Sequence, residues 1–119
     1  MAPGGRIAGL VLVGSLSAAG ALGAQGPGVG DAAPVVSVHD LDGRPVDLGQ
    51  WIGKTPVFLE FWATWCTSCQ ALEPAVRAAR EAYGTGVEFI GINITVGDPR
   101  DSVRAWVARH DPPYRVLYD

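Results

Sequence analysis

Apolar residues along this chain fall into blocks whose spacing changes, and each change marks a predicted element. The first block runs from Ile7 to Leu22, carries no charge, and is preceded by one cation, Arg6. Val35–His39 and Pro45–Leu48 are two short β-prone pieces around Asp42-Gly43, a pair that supplies the positive φ of a tight turn, so a hairpin is expected. Val57-Phe58-Leu59-Glu60-Phe61-Trp62 is a continuous, aromatic-rich run of the kind found in a strand buried on both faces. A helix is predicted from Cys66 or Thr67 to about Tyr83, with Leu72, Val76, Ala79 and Tyr83 recurring at four, three and four as its apolar face. Gly84 and Gly86 stop it. Val87–Asn93 is a second strand. Asp98-Pro99 reads as an N-cap with Pro at the first helical position, and Val103, Trp106, Val107 and His110 then repeat at helical spacing until Pro112-Pro113. Tyr114–Tyr118 opens a further strand. Strands alternating with helices predict an α/β layer fold with a largely parallel sheet.

The first block stands apart from the rest. One cation, an uncharged apolar run and the small residues Gly23-Ala24 give the three-part form of an export signal over residues 1–24, with Ala19-x-Ala21 and Ala21-x-Gly23 both offering cleavage spacing. The rival reading is a retained N-terminal membrane anchor. The run is slightly shorter than the ~20 residues that span a bilayer, and Gly9, Gly14, Ser15, Ser17 and Gly20 dilute it. Residues 25–34, rich in Gly, Pro and Ala, read as a linker to a domain over 35–119. Export fixes a redox setting, because thiols outside the cytoplasm meet oxidants; the expected location is the periplasm or the outer face of the cytoplasmic membrane.

Composition narrows the function classes. The net charge of −3 is spread over a chain with no basic stretch, which disfavours a nucleic-acid partner. Only 2 Cys exist, too few for a disulfide scaffold or a four-thiolate zinc site. Those two lie three apart in Trp62-Ala63-Thr64-Trp65-Cys66-Thr67-Ser68-Cys69, at the start of the predicted helix. Unpaired N–H groups and the positive dipole end there favour a thiolate at Cys66, the species that attacks disulfides. Cys69, one turn further in, is placed to attack the resulting mixed disulfide, a step that needs a base. Glu60 is the candidate: it is the one charged residue between Lys54 and Glu73, it sits in an apolar strand, and burial raises a carboxyl pKa. It shares a strand face with Phe58 and Trp62. Spacing leaves open whether that face meets Cys69 or solvent.

Plainer readings stand beside these. Zinc at Cys66 and Cys69 would need His39 and His110 to complete it. Haem attachment needs His after the second Cys, where Gln70 stands. A purely structural bridge would close a loop too short to add much stability. His39 reads as a hairpin surface residue and His110 as a helix C-terminal cation. Trp51 and Trp106 read as core, while Trp62 and Trp65 flank the motif and shape its contact surface. Gly84-Thr85-Gly86 lacks the third glycine and the preceding strand of a dinucleotide loop.

The segment Phe58–Cys69, with Pro74 five residues beyond the second Cys, resembles the thioredoxin superfamily. Ala33-Pro34, the Leu41–Leu48 hairpin and the apolar N-terminus resemble its redoxin branch, most closely the TlpA/ResA-like thiol:disulfide oxidoreductases of bacterial envelopes. The resemblance covers about residues 31–119 and implies a thioredoxin-like fold with an N-terminal β-hairpin extension. It implies Cys66 as nucleophile, Cys69 as resolving thiol, Glu60 as the buried acid serving Cys69, and Pro74 as the proline of the active-site helix. It also implies disulfide-bearing protein clients, with apocytochrome c or copper-site proteins among them, a membrane-bound thiol electron donor and no bound organic cofactor. Three departures are visible. Leu72 stands where the branch often has Glu, with Glu73 one position later; Thr67-Ser68 replaces the common x-Pro between the cysteines; and Asp119 comes before the family's cis-proline loop, last strands and final helix. Those strands pair beside the Glu60 strand, so its edge is expected to be open. Copper delivery, thiol peroxidase chemistry and an inactive fragment are the alternatives.

Overall fold

A computed structural model describes residues 1, 4 and 26–119 of the 119-residue chain. The export-signal reading of residues 1–24 therefore lies almost wholly outside the described residues. Residues 26–34 carry no helix or strand and are exposed throughout. No helix among the described residues is long and apolar enough to cross a membrane.

The elements are β1 (Ser37–His39), β2 (Pro45–Asp47), a 3-10 turn (Leu48–Gln50), β3 (Val57–Trp62), α1 (Thr67–Tyr83), β4 (Glu88–Asn93), α2 (Arg100–His110) and β5 (Arg115–Tyr118). They form one five-stranded sheet in the order β2-β1-β5-β4-β3. β3, β4 and β5 run parallel, as strand–helix alternation demands, and β1 joins β5 and β2 antiparallel. The predicted hairpin is present. Its turn is organised by Asp40, whose Oδ1 accepts the Asp42 and Arg44 N–H groups, while Gly43 takes a φ of 82°.

Two cores flank the sheet. Under the helices, Trp62, Val76, Phe89, Val103, Trp106 and Tyr114 pack together. On the opposite face Val38, Leu48, Ile90, Ile92 and Leu117 form the second core. Gly91 in β4 gives the first core room at the backbone: a Cβ built there would collide with the Tyr114 ring. Gly91→Ala is therefore expected to destabilise the fold by about 1–3 kcal/mol through overpacking, read as a lowered urea midpoint.

Several expectations are corrected. Val35 and Val36 are exposed and precede β1, and Leu48 leaves the strand because Asp47 caps the 3-10 turn through Gly49 N–H. Leu72 and Tyr83 are exposed rather than inward. The inward stripe of α1 is Cys69, Glu73, Val76 and Ala79, since the turn that places Cys69 over the core fixes the rotation of the whole helix. β3 is buried on one face only: Phe61 is 63% exposed, and β3 is an edge strand of the described sheet. Trp62 is core at 1% exposure rather than contact surface, because its face lies under the helices.

Candidate active site

Ala63, Thr64 and Trp65 link β3 to α1, and Cys66 is the N-cap residue of that helix. Cys66 and Cys69 are joined by a disulfide, with their Cα atoms 5.3 Å apart. Cys66 Sγ accepts the Cys69 backbone N–H at 3.2 Å and lies 3.4 Å from Ser68 Oγ. Its position thus takes up one of the unpaired N–H groups of the first turn, and no acidic residue in that turn offsets the dipole. Cys69 packs against the core under the helices. Trp65 is 55% exposed, and its Nε1–H donates to the Val96 carbonyl at 2.8 Å, so the indole and Val96 form an apolar rim beside the cysteines. Pro74 lies inside α1, where it withholds the N–H that would bond to the Gln70 carbonyl.

Glu60 lies on the helix-covered side of β3, with Phe58 and Trp62 packed in the same core as Cys69. Its Oε2 is buried without a hydrogen-bond partner. Burial, with Glu73 nearby, pushes its carboxyl above the ordinary range. Glu73 is a residue that sequence reasoning set aside. Four positions after Cys69 it falls on the same side of the helix, and with Cys69, Trp62 and Tyr114 it lines a narrow crevice. Its carboxylate pairs with Arg77 at 2.9 Å. Burial, then Glu60 and Glu73, push the Tyr114 phenol far above its usual value. Glu73 is the one carboxylate that lines the crevice at Cys69, beside the Trp62 and Trp106 indoles and the Tyr114 phenol. His39 is exposed, as expected of a hairpin surface residue. His110 stacks on Trp106 with ring centroids 4.1 Å apart, and neither histidine joins the cysteines.

Asp98 is the second residue missed. The expected N-cap is instead Pro99, with no side-chain bond, and α2 starts at Arg100. Asp98 is only 2% exposed and turns its carboxylate toward the active-site loop: Oδ2 accepts the Thr64 N–H and Asn93 Nδ2–H, both at 2.7 Å, and Oδ1 accepts the Thr64 hydroxyl at 2.6 Å. Burial alone would raise its pKa, but the bonds from Thr64 and Asn93 hold it below the ordinary carboxylate value.

Residues 29–119 match the AhpC/TSA family. The chain belongs to that family. Its sequence is similar to the thiol-disulfide oxidoreductase ResA of Geobacillus thermodenitrificans, 35% identical over 92 residues, covering 76% of this chain and 51% of the relative. It is also similar to the thioredoxin-like protein YneN of Bacillus subtilis, at 32% identity over 76% of this chain and 53% of the relative. This family member therefore spans about half the length of those relatives. In structure it resembles a secreted Mycobacterium tuberculosis disulfide oxidoreductase homologous to E. coli DsbE, with a TM-score of 0.58 and 26% identity over 71% of this chain and 60% of that one. It shares its fold with the thioredoxin domain of a thiol-disulfide oxidoreductase from Bacteroides vulgatus, at a TM-score of 0.64 and 20% identity over 75% and 62%. The fold is thioredoxin-like, and within the superfamily the chain is ResA-like.

Proposed function

We propose that this protein is an exported thiol:disulfide oxidoreductase that reduces disulfides of client proteins in the cell envelope through Cys66 and Cys69. The supporting observation is the Cys66–Cys69 pair at the N-terminus of α1, with Cys66 Sγ on a helix N–H and Cys69 against the core. The ResA relatives are named thiol-disulfide oxidoreductases and the structural neighbour a secreted disulfide oxidoreductase, which supports the thiol-exchange part of this reading. In the reduced protein, the Cys66 thiolate attacks one sulfur of the client disulfide and the other leaves as thiolate. Cys69 gives its proton to a nearby base and attacks the Cys66 sulfur, which closes the Cys66–Cys69 bond and frees the client's second thiol. Two electrons have then passed to the client, and a membrane-bound thiol donor returns them. Apocytochrome c and copper-site proteins, which must present reduced cysteines, suit the client class. The reaction calls for no bound organic cofactor.

Glu60 is the base in this scheme, supported by its unpartnered buried oxygen and raised pKa. The raised value has a stability consequence. A carboxyl protonated more readily in the folded chain contributes stability that is present at acid pH and is lost as pH rises from about the ordinary glutamate value of 4.5 through the folded pKa. Glu60→Gln should match wild type in melting temperature at acid pH and surpass it as pH rises toward neutrality. It should also slow closure of a preformed mixed disulfide; an unchanged closure rate would remove Glu60 from the mechanism. The function as a whole is tested by insulin reduction in the presence of dithiothreitol, comparing wild type with Cys66→Ser.

A further inference from the structure

The loop from Ile94 to Pro99, between β4 and α2, has the form of a latch on the residues that precede Cys66. It holds two left-handed residues, Thr95 at φ 63° and Gly97 at φ 64°. A β-branched residue adopts such a φ only when its surroundings fix it. Here the Thr95 N–H is held by Asn93 Oδ1 at 2.9 Å. The resulting path brings the Val96 carbonyl to the Trp65 indole and the Asp98 carboxylate to Thr64. From the other side, the Tyr118 hydroxyl of β5 donates to the Asp98 carbonyl at 2.9 Å, and the Arg100 guanidinium lies 4.8 Å from the Tyr118 ring centroid. Asp98 is thus fixed at both its backbone and its side chain.

What Asp98 holds is one residue removed from the reacting sulfur's neighbour. Thr64 is gripped at its N–H and its hydroxyl, and its carbonyl accepts Gln70 Nε2–H at 2.8 Å from the first turn of α1. The backbone of Thr64 therefore ties the buried end of β4 to the start of the active-site helix. We propose that Asp98 is a positioning residue for the Cys66 nucleophile, acting through Thr64 to hold the Cys66 sulfur on the N-terminal N–H groups of α1. This rests on the thiol-exchange reading of Cys66 and adds to it a residue far along the chain.

The hydrogen-bond chemistry separates position from charge. In Asp98→Asn, the amide oxygen can accept the Thr64 N–H and the Asn93 amide, while the new NH2 donates to the Thr64 hydroxyl, which accepts as readily as it donates. Geometry is kept and the charge is lost. Asp98→Ala removes all three bonds and leaves the Thr64 N–H and Asn93 amide without their acceptor. Thr64→Val removes the hydroxyl bond alone.

The experiment uses the reduced full chain. Cys66 alkylation by iodoacetamide at neutral pH is followed by mass spectrometry, and the Cys66–Cys69 couple is equilibrated with glutathione redox buffers. Thermal melts report folding. Asp98→Ala is expected to alkylate several-fold more slowly at Cys66. A destabilised thiolate also favours the disulfide, so its equilibrium should move about tenfold that way, roughly 30 mV for this two-electron couple. Asp98→Asn should stay within about twofold of wild type, since the bonds persist. Thr64→Val should fall between. A folded Asp98→Ala with wild-type alkylation and equilibrium overturns the proposal, as does an Asp98→Asn as impaired as Asp98→Ala, because charge would then be the cause. If Asp98→Ala does not fold, Thr64→Val decides: slowed alkylation supports the latch and an unchanged rate overturns it. An unreactive wild-type Cys66 overturns both this proposal and the thiol-exchange reading. A reactive Cys66 indifferent to position 98 overturns the latch alone.

Discussion

Cys66→Ser is expected to reduce insulin no faster than dithiothreitol alone, whereas Cys69→Ser should accumulate a stable mixed disulfide with the client. The two outcomes differ because the two sulfurs sit in different places. Cys66 caps α1 and, in the disulfide form, its Sγ takes the Cys69 N–H, so in the proposed scheme it is the sulfur that the helix N-terminus would stabilise as a thiolate after reduction. A serine hydroxyl there cannot form a disulfide at all, and the loss is complete rather than partial. Cys69 packs against Trp62 and its neighbours and borders the crevice with Glu73 and Tyr114, where a client sulfur has little access. Its replacement leaves the first exchange intact and removes only the release step. Non-reducing electrophoresis after mixing the reduced variants with a disulfide client reads both results. Equal turnover by wild type and Cys66→Ser would sink the nucleophile assignment. A trapped adduct on Cys69 in the Cys66→Ser protein would reverse the two roles.

Trp62→Ala should have the largest effect on stability, a loss of about 3–5 kcal/mol in urea denaturation. Trp62 is the hub of the core under the helices, with ring centroids 4.9 Å from Trp106 and 6.0 Å from Tyr114. Against a total of about 5–15 kcal/mol for a typical domain, such a loss removes a large share of the stability. Trp62→Phe makes the informative comparison. The Trp62 Nε1–H is buried without a partner, so the indole carries a desolvation cost that a phenyl ring avoids. The phenylalanine variant should therefore lose far less than the alanine one. A Phe variant as unstable as the Ala variant would mean that indole volume, rather than ring contact alone, fills the site.

The elements were largely legible in the order of residues. The hairpin, the strands β3 and β4, the two helices and the last strand lie within a few residues of their predicted ends, because turn chemistry at Asp42-Gly43, Gly84 and Pro112-Pro113 is local. The orientation of elements was less legible. Leu72 and Tyr83 fit a helical repeat as well as Cys69, Glu73 and Val76 do, and only the docking of α1 on the sheet selects between the two stripes. Trp62 and Trp65 illustrate the same point on the strand side. Three residues apart, they flank one motif alike, yet one is core and the other lies exposed at the rim.

The candidate site divides along the same line. Cys66, Cys69 and the helix that starts between them follow from the spacing of neighbours in the chain, and so does the suspicion attached to a lone acid in an apolar strand. Glu73 could have been found from the i, i+4 relation to Cys69, had the inward stripe been known. Asp98 could not. Before a proline it has every local mark of a helix cap, and the bonds that claim it instead come from Thr64, 34 positions earlier, and from the end of β4. The sequence by itself determined a redox pair on a helix N-terminus in an α/β domain, because those features depend on residues a few places apart. The tertiary structure alone decided which faces are buried, that Glu73 borders the crevice at Cys69, and what holds the loop before Cys66. Burial and hydrogen bonding between distant segments arise only when the β3, β4 and β5 ladder brings those segments together.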